Sequence, residues 1–143
     1  MRGISFQPDM VAAIAEGIKT QTRQMLSDRP YKVGEVLYVK EGWARLSTGD
    51  ILGGQRPAMF MPRHLARYYI KITAIRKQRL WNITEREAKA EGFYGSIDFG
   101  RKWESLYPSA PLYRKRKYNK KWDYAWDLNP EVVVYEFERE KKS

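Results

Sequence analysis

The run Gly17-Ile18-Lys19-Thr20-Gln21-Thr22-Arg23 places an amine, two hydroxyls and a guanidinium directly after a helix that ends on glycine. Upstream of it Pro8 fits a first helical position, and Met10, Val11, Ile14 and Ile18 recur at helical spacing before Gly17 closes the helix. A backbone that leaves a helix through glycine and then extends alternates its side chains. Thr20 and Thr22 then share one face, and Lys19, Gln21 and Arg23 the other. A twist or bend in so short a segment brings Lys19 and Thr22 to a common site. The plainer reading is an exposed polar turn leading into a strand.

On either side of this run, Ile4-Ser5-Phe6 reads as a first strand, Ser27-Asp28-Arg29-Pro30 as a loop, Lys32-Val33-Gly34-Glu35 as a turn and Val36-Leu37-Tyr38-Val39 as a buried strand. Glu41-Gly42-Trp43-Ala44 follows, where a carboxylate and a large aromatic face the same cavity or where Trp43 joins the core. Residues 46 to 57, with Gly49, Gly53, Gly54 and Pro57, read as a flexible surface excursion. Ala58-Met59-Phe60-Met61 reads as a short strand. Pro62 to Arg67 reads as a helical turn with Arg63 and Arg67 four apart, placed to grip an anion or simply solvated. Tyr69 to Arg76 alternates as a strand with one face buried. Thr84-Glu85-Arg86-Glu87 is a capping box, and its helix ends before Gly92. Glu91 thus falls in the last helical turn, where the macrodipole disfavours an anion by about 0.3–1 kcal/mol. Gly95 to Pro111 reads as a loop and a short helix around Trp103, Leu106 and Tyr107, and Val132 to Phe137 as a closing strand. Short strands with two or three helices at intervals predict an α+β domain, a small curled sheet or barrel with helices against its openings.

Composition bounds the function. The chain has 143 residues, one domain's worth, with 43% hydrophobic and 14% aromatic content, enough for a core. It contains no cysteine, which excludes disulfides, zinc-thiolate sites and thiol nucleophiles, and its single histidine, His64, cannot build a multi-histidine metal site. No metal or other cofactor is therefore expected. Residues 1 to 20 lack a signal peptide's pattern, and no run approaches the roughly 20 apolar residues of a membrane span. The expectation is a soluble, cytoplasmic protein.

The net charge is +10, and its distribution is uneven. Arg101, Lys102, Arg114, Lys115, Arg116, Lys117, Lys120 and Lys121 stand against Glu104 alone. Tyr107, Tyr113, Tyr118, Trp122, Tyr124 and Trp126 are interleaved with or follow them, a mixture that follows phosphates and stacks bases. Arg114 to Lys117, Lys120 and Lys121 are the candidate nucleic-acid contacts. The competing reading is a solvated basic loop whose aromatics turn inward.

Gly17 to Arg23 resembles the Gly-x-Lys-Thr-x-Thr-x-Arg type signature of ASCH domains, a family with a PUA-like barrel that is associated with RNA. The resemblance extends through Val33-Gly34-Glu35-Val36-Leu37, the capping-box helix ending in Glu91-Gly92, and Val134-Tyr135-Glu136-Phe137. Glu41-x-Trp43-Ala44, Met61-Pro62-Arg63 and Trp126-Asp127-x-Asn129-Pro130 resemble the longer ASCH proteins of phages and prophages. Arg23 follows Thr22 immediately instead of one residue later, and residues 46–57 and 93–126 are insertions on this alignment. The resemblance implies one ASCH domain over residues 1–143. It also implies a catalytic set of Lys19, Thr22 and Glu91, because a shorter bacterial member removes the acetyl group of N(4)-acetylcytidine with a lysine, a threonine and a glutamate. Thr20, Arg23, Glu41, Trp43 and Arg63 complete the candidate substrate contacts.

A threonine hydroxyl is a poor nucleophile until a base takes its proton, and here the candidate bases are Lys19 and carboxylates. Lys19 must fall from about 10.4 to near neutrality to serve, a cost of about 4 kcal/mol. Burial and Arg23 push it down, whereas a close Glu91 pushes it up. If Lys19 stays charged it stabilises an oxyanion while Glu91 or Glu41 shuttles the proton. Three functional classes follow: a metal-independent amidohydrolase acting on a modified nucleoside, a non-catalytic RNA-binding module or ribonuclease, and a phage-encoded adaptor that binds a host protein.

Overall fold

A computed structural model describes residues 1–46, 49–52, 56–112 and 118–141, with the backbone alone for 44–46 and 49–52. The first turn of the chain's first helix is set by Gln7, extended at φ −73° and ψ 159°, and by Pro8 at the first helical position, whose missing N–H costs nothing there. This helix, α1 (Pro8–Ala15), buries Met10, Val11, Ala13 and Ile14. It closes through Gly17 at φ +77°, which lets the Ile18 and Lys19 amides both donate back to the Ala13 carbonyl at 2.9 and 3.1 Å.

Five strands form one mixed sheet in the order β1 (Gly3–Ser5), β3 (Val36–Lys40), β6 (Tyr69–Arg79), β7 (Glu131–Glu140) and β2 (Gln21–Gln24). The β1–β3 pair is parallel and the others antiparallel. The α+β class expected from the sequence is the class observed. Among the described residues the sheet is not closed: β1 and β2 are its edges. A register shift between Ile72 and Ala74 marks a bulge in β6, the device by which a strand bends and twists more strongly. Val132 to Tyr135 are buried without alternation, as expected of a strand covered on both faces.

Two apolar clusters sit on the sheet. One joins Ile4, Val11 and Ile14 to Leu37, Val39, Ile70, Ile72, Val133, Tyr135 and Phe137. The other joins Leu80, Ile83 and Val132 to α2 (Glu85–Ala90), α3 (Ser96–Leu106) and Tyr124. The capping box opens α2 as expected: the Glu87 amide donates to Thr84 Oγ1 at 3.1 Å and the Thr84 amide to Glu87 Oε1 at 3.2 Å.

Two expectations need correction. Ala58–Phe60 is a 3₁₀ turn, because extended Pro57 feeds a Phe60 amide that donates back to the Pro57 carbonyl at 3.2 Å. Part of the 46–57 excursion is ordered as a hairpin, in which β4 (Trp43–Leu46) pairs antiparallel with β5 (Gly49–Leu52).

Candidate functional site

The chain from Gly17 to Arg23 is pinned at both sides of Thr20, whose amide donates to the Ala90 carbonyl at 2.7 Å and whose carbonyl accepts from the Phe137 amide at 2.9 Å. The stretch is thereby locked between the end of α2 and β7. The Thr20 side chain is exposed and lies outside the cavity described below. Because β2 begins only at Gln21, strand alternation does not govern Lys19. Its side chain folds back instead, and Lys19 Nζ donates to the Gln21 carbonyl at 2.8 Å and the Glu91 carbonyl at 2.7 Å.

Glu91 is shared between two buried cations. Its Oε1 lies 3.5 Å from Lys19 Nζ, and its Oε2 accepts from Arg23 at 2.9 Å. Arg23, with no exposed side-chain surface, also donates to Gln21 Oε1 at 3.1 Å, Gln78 Oε1 at 2.8 Å and Glu87 Oε2 at 2.6 Å. Glu87 in turn is bound by Arg76, which also pairs with Glu136 at 3.2 Å. Three cations and three carboxylates thus form one network, and among the described residues every sealed side-chain N or O atom has a partner. Such satisfaction is what makes a buried ionic cluster tolerable.

Burial pushes the Lys19 ammonium below its ordinary pKa; Glu91 opposes this and Arg23 reinforces it. Burial acts to raise the Glu87 carboxyl, but Arg76, the Thr84 amide and Arg23 outweigh it and hold Glu87 below its ordinary value.

Lys19, Thr22, Arg23 and Glu91 line one cavity of about 310 Å³. Phe6, just after β1, and Met10 of α1 wall it, as do Phe93, Phe99, Trp103 and Tyr107 from α3 and its flanks. Tyr107 stacks on Trp103 with ring centroids 4.3 Å apart, and burial raises its phenol pKa. Thr22 is 7% exposed, and its hydroxyl has no hydrogen-bond partner among the described residues while remaining open to the cavity. One aromatic-walled cavity is therefore lined by both an unengaged alcohol and a lysine of lowered pKa. Among the described residues, no group of three or more His, Asp and Glu side chains is placed to hold a metal ion.

The remaining candidates lie elsewhere. Glu41 is buried but bound through both oxygens by Arg67, with Nε at 3.0 Å from Oε2. Trp43 packs with Met61 and Ala66, and its indole N–H donates to the Pro57 carbonyl at 3.2 Å. Arg63 is exposed at the start of a 3₁₀ turn, Arg63–Leu65, where the four-residue helical spacing with Arg67 does not arise. None of the three lines the cavity. Lys120 and Lys121 are exposed; Arg114, Lys115, Arg116 and Lys117 lie outside the described residues, as does Tyr113. Tyr107, Tyr124 and Trp126 turn inward onto Phe99 and Trp103. Of the segment's described aromatics, Tyr107, Tyr124 and Trp126 thus join the core, whereas Tyr118 is exposed and Trp122 half-buried, and Tyr107 reaches the cavity.

Several wall residues went unread. Ser5, Phe6, Gln7, Met10, Gln24, Ala58, Phe93 and Phe99 approach the site only through tertiary packing. The spacing of Phe99, Trp103 and Leu106 was the available signal for the α3 wall.

No family model matches the chain, and no curated protein matches it. Protein EF3133 from Enterococcus faecalis V583, of family-model DUF984, superposes with a TM-score of 0.56 over 97% of this chain and 80% of its own, at 16% identity. Hypothetical protein PH0355 superposes with a TM-score of 0.55 over 95% of each chain, at 13% identity. The chain shares their fold. An ASCH domain from Lactobacillus crispatus JV V101 is more distant, with a TM-score of 0.46 over 91% of this chain and 69% of its own at 14% identity, below the level at which a shared fold follows. Among the described residues no helix is long and apolar enough to cross a membrane.

Proposed function

We propose that this is an ASCH-type protein that takes a nucleoside, free or within RNA, base-first into the cavity and hydrolyses an amide on the base, as in N(4)-acetylcytidine. The observation that carries this reading is the meeting of Lys19 and Thr22 with Glu91, from a distant part of the chain, on one aromatic-walled cavity. A planar base is the ligand that such walls accept by stacking.

In this reading Thr22 Oγ1 attacks the acyl carbon and its proton passes to neutral Lys19. The tetrahedral intermediate collapses as the base's exocyclic nitrogen leaves with that proton, and water repeats the sequence on the threonine ester to release the acid. Burial favours the neutral amine that this role needs, and Glu91 opposes it. The two short bonds of Lys19 to carbonyls occupy the two N–H groups of a neutral amine, and Glu91 Oε1 at 3.5 Å is the third acceptor that the charged form would use. Glu91 is drawn toward Arg23 and keeps Lys19 in place chiefly through its carbonyl. Glu41, held by Arg67 away from the cavity, is left out of the mechanism.

The test is release of cytidine and acetate from N(4)-acetylcytidine. Thr22→Val should lower turnover by about 100-fold or more while leaving the unfolding midpoint in place, since the lost hydroxyl has no protein partner. Turnover should rise with pH through the lowered pKa of Lys19; a fall with pH would assign Lys19 to oxyanion stabilisation instead. Undiminished turnover in Thr22→Val, or none in the native chain at high enzyme concentration, overturns the hydrolase reading.

A further inference from the structure

We infer that the ligand is a phosphorylated nucleoside, with Lys102 holding the phosphate at the cavity mouth and the Gln24 carboxamide reading an edge of the base. This rests on the base-binding reading above and extends it to a second part of the ligand. The α3 face that walls the cavity consists of Phe99, Lys102, Trp103 and Leu106, one helical stripe. A lysine within an otherwise apolar stripe is a departure from the local pattern, of the kind proteins make at functional sites.

The wall's charges distinguish this lysine further. Lys19 and Arg23 are both committed to Glu91, and Arg23 also to Glu87. The Lys102 ammonium has no hydrogen bond or ion pair among the described residues. Phe99 and Trp103 are buried while Lys102 is half-buried and Leu106 is 43% exposed, so Lys102 stands where the stripe rises to solvent. Its carbon stem can lie along the aromatic wall and keep the charge at the opening. Gln24, half-buried on β2 two residues beyond Thr22, likewise has no partner for its carboxamide among the described residues. A carboxamide offers a donor and an acceptor side by side, the complement of a base edge. A cavity of about 310 Å³ lies at the small end of the range of about 300–1,000 Å³ for ligand sites, room for one nucleotide.

The experiment is calorimetric titration of the full chain carrying Thr22→Val with cytidine, adenosine, guanosine, uridine and N(4)-acetylcytidine, each with and without a 5′- or 3′-phosphate. Short oligonucleotides that contain the preferred base follow. At low salt one phosphate position should tighten binding about tenfold over the matching nucleoside. That ratio should fall to near one in Lys102→Gln and recover in Lys102→Arg, and Gln24→Leu should flatten preference among bases while the phosphate ratio persists. An oligonucleotide that binds better than the mononucleotide places the nucleotide within RNA, and equal or weaker binding makes a free nucleotide the ligand. Nucleosides that bind equally with and without phosphate, or a ratio unchanged in Lys102→Gln, overturn this inference alone. No binding of any member overturns the base-binding reading with it.

Discussion

Two buried glutamates, each paired with arginine, separate structural from chemical use of the same residue type. Glu41 is held through both oxygens by Arg67, whose side chain is 51% exposed, and neither borders the cavity. Glu91 is divided between Lys19 and Arg23, whose side chains are 3% and 0% exposed, and it borders a cavity with an unengaged hydroxyl. A half-exposed arginine is screened by water and closes its pair locally. Two sealed cations on one carboxylate depend on each other, and that arrangement moves a lysine's pKa.

The difference sets an order of expected effects. Arg23→Met should be the most damaging change, because it takes a sealed cation from both Glu91 and Glu87 at once. A loss of about 3–5 kcal/mol in urea unfolding is expected. Glu91→Gln should cost about 2–3 kcal/mol and lower the Lys19 pKa further, since Glu91 is what opposes burial there. The pH profile of turnover in that variant should shift toward acid. Arg67→Met should cost about 1–2 kcal/mol and leave nucleoside affinity untouched. If Arg67→Met impaired ligand binding as Glu91→Gln does, the distinction between the two glutamates would collapse.

The smallest effect is a slope in stability against pH. The Lys19 pKa is lowered in the folded state, so between that value and the ordinary 10.5 the unfolded chain binds more protons. Stability contributed by this group therefore rises with pH across that window. Glu87 works at the other end: its lowered pKa contributes stability above about 4.5 that is lost as pH falls through the folded value. Lys19→Met should remove the alkaline slope and keep the acid one, as read from unfolding midpoints across pH.

Much of this was legible in the sequence. Pro8 and Gly17 bracket α1, Thr84 and Glu87 open α2, and the apolar run from Val132 reads as β7, because each signal is local. Glu91, an acid at a helix C-terminus, pointed to a use that the dipole does not supply, and Lys19 and Arg23 are that use. Alternation failed to place Lys19 because the Gly17 turn, and not β2, sets its direction. Trp43 and Glu41 were drawn toward the site by their adjacency at the end of a strand, whereas packing against Met61 and pairing with Arg67 take them elsewhere. The aromatic wall was only half visible: Trp103 and Tyr107 stood out, but that they line one cavity with Thr22 follows from tertiary packing no spacing records.

The most direct measurement is a crystal of the Thr22→Val chain soaked with N(4)-acetylcytidine. The account predicts a base stacked beneath Trp103 and Tyr107 with its acyl carbon against residue 22 and within reach of Lys19 Nζ. A base bound outside the cavity, with Lys19 and Glu91 undisturbed behind an empty hollow, would contradict it.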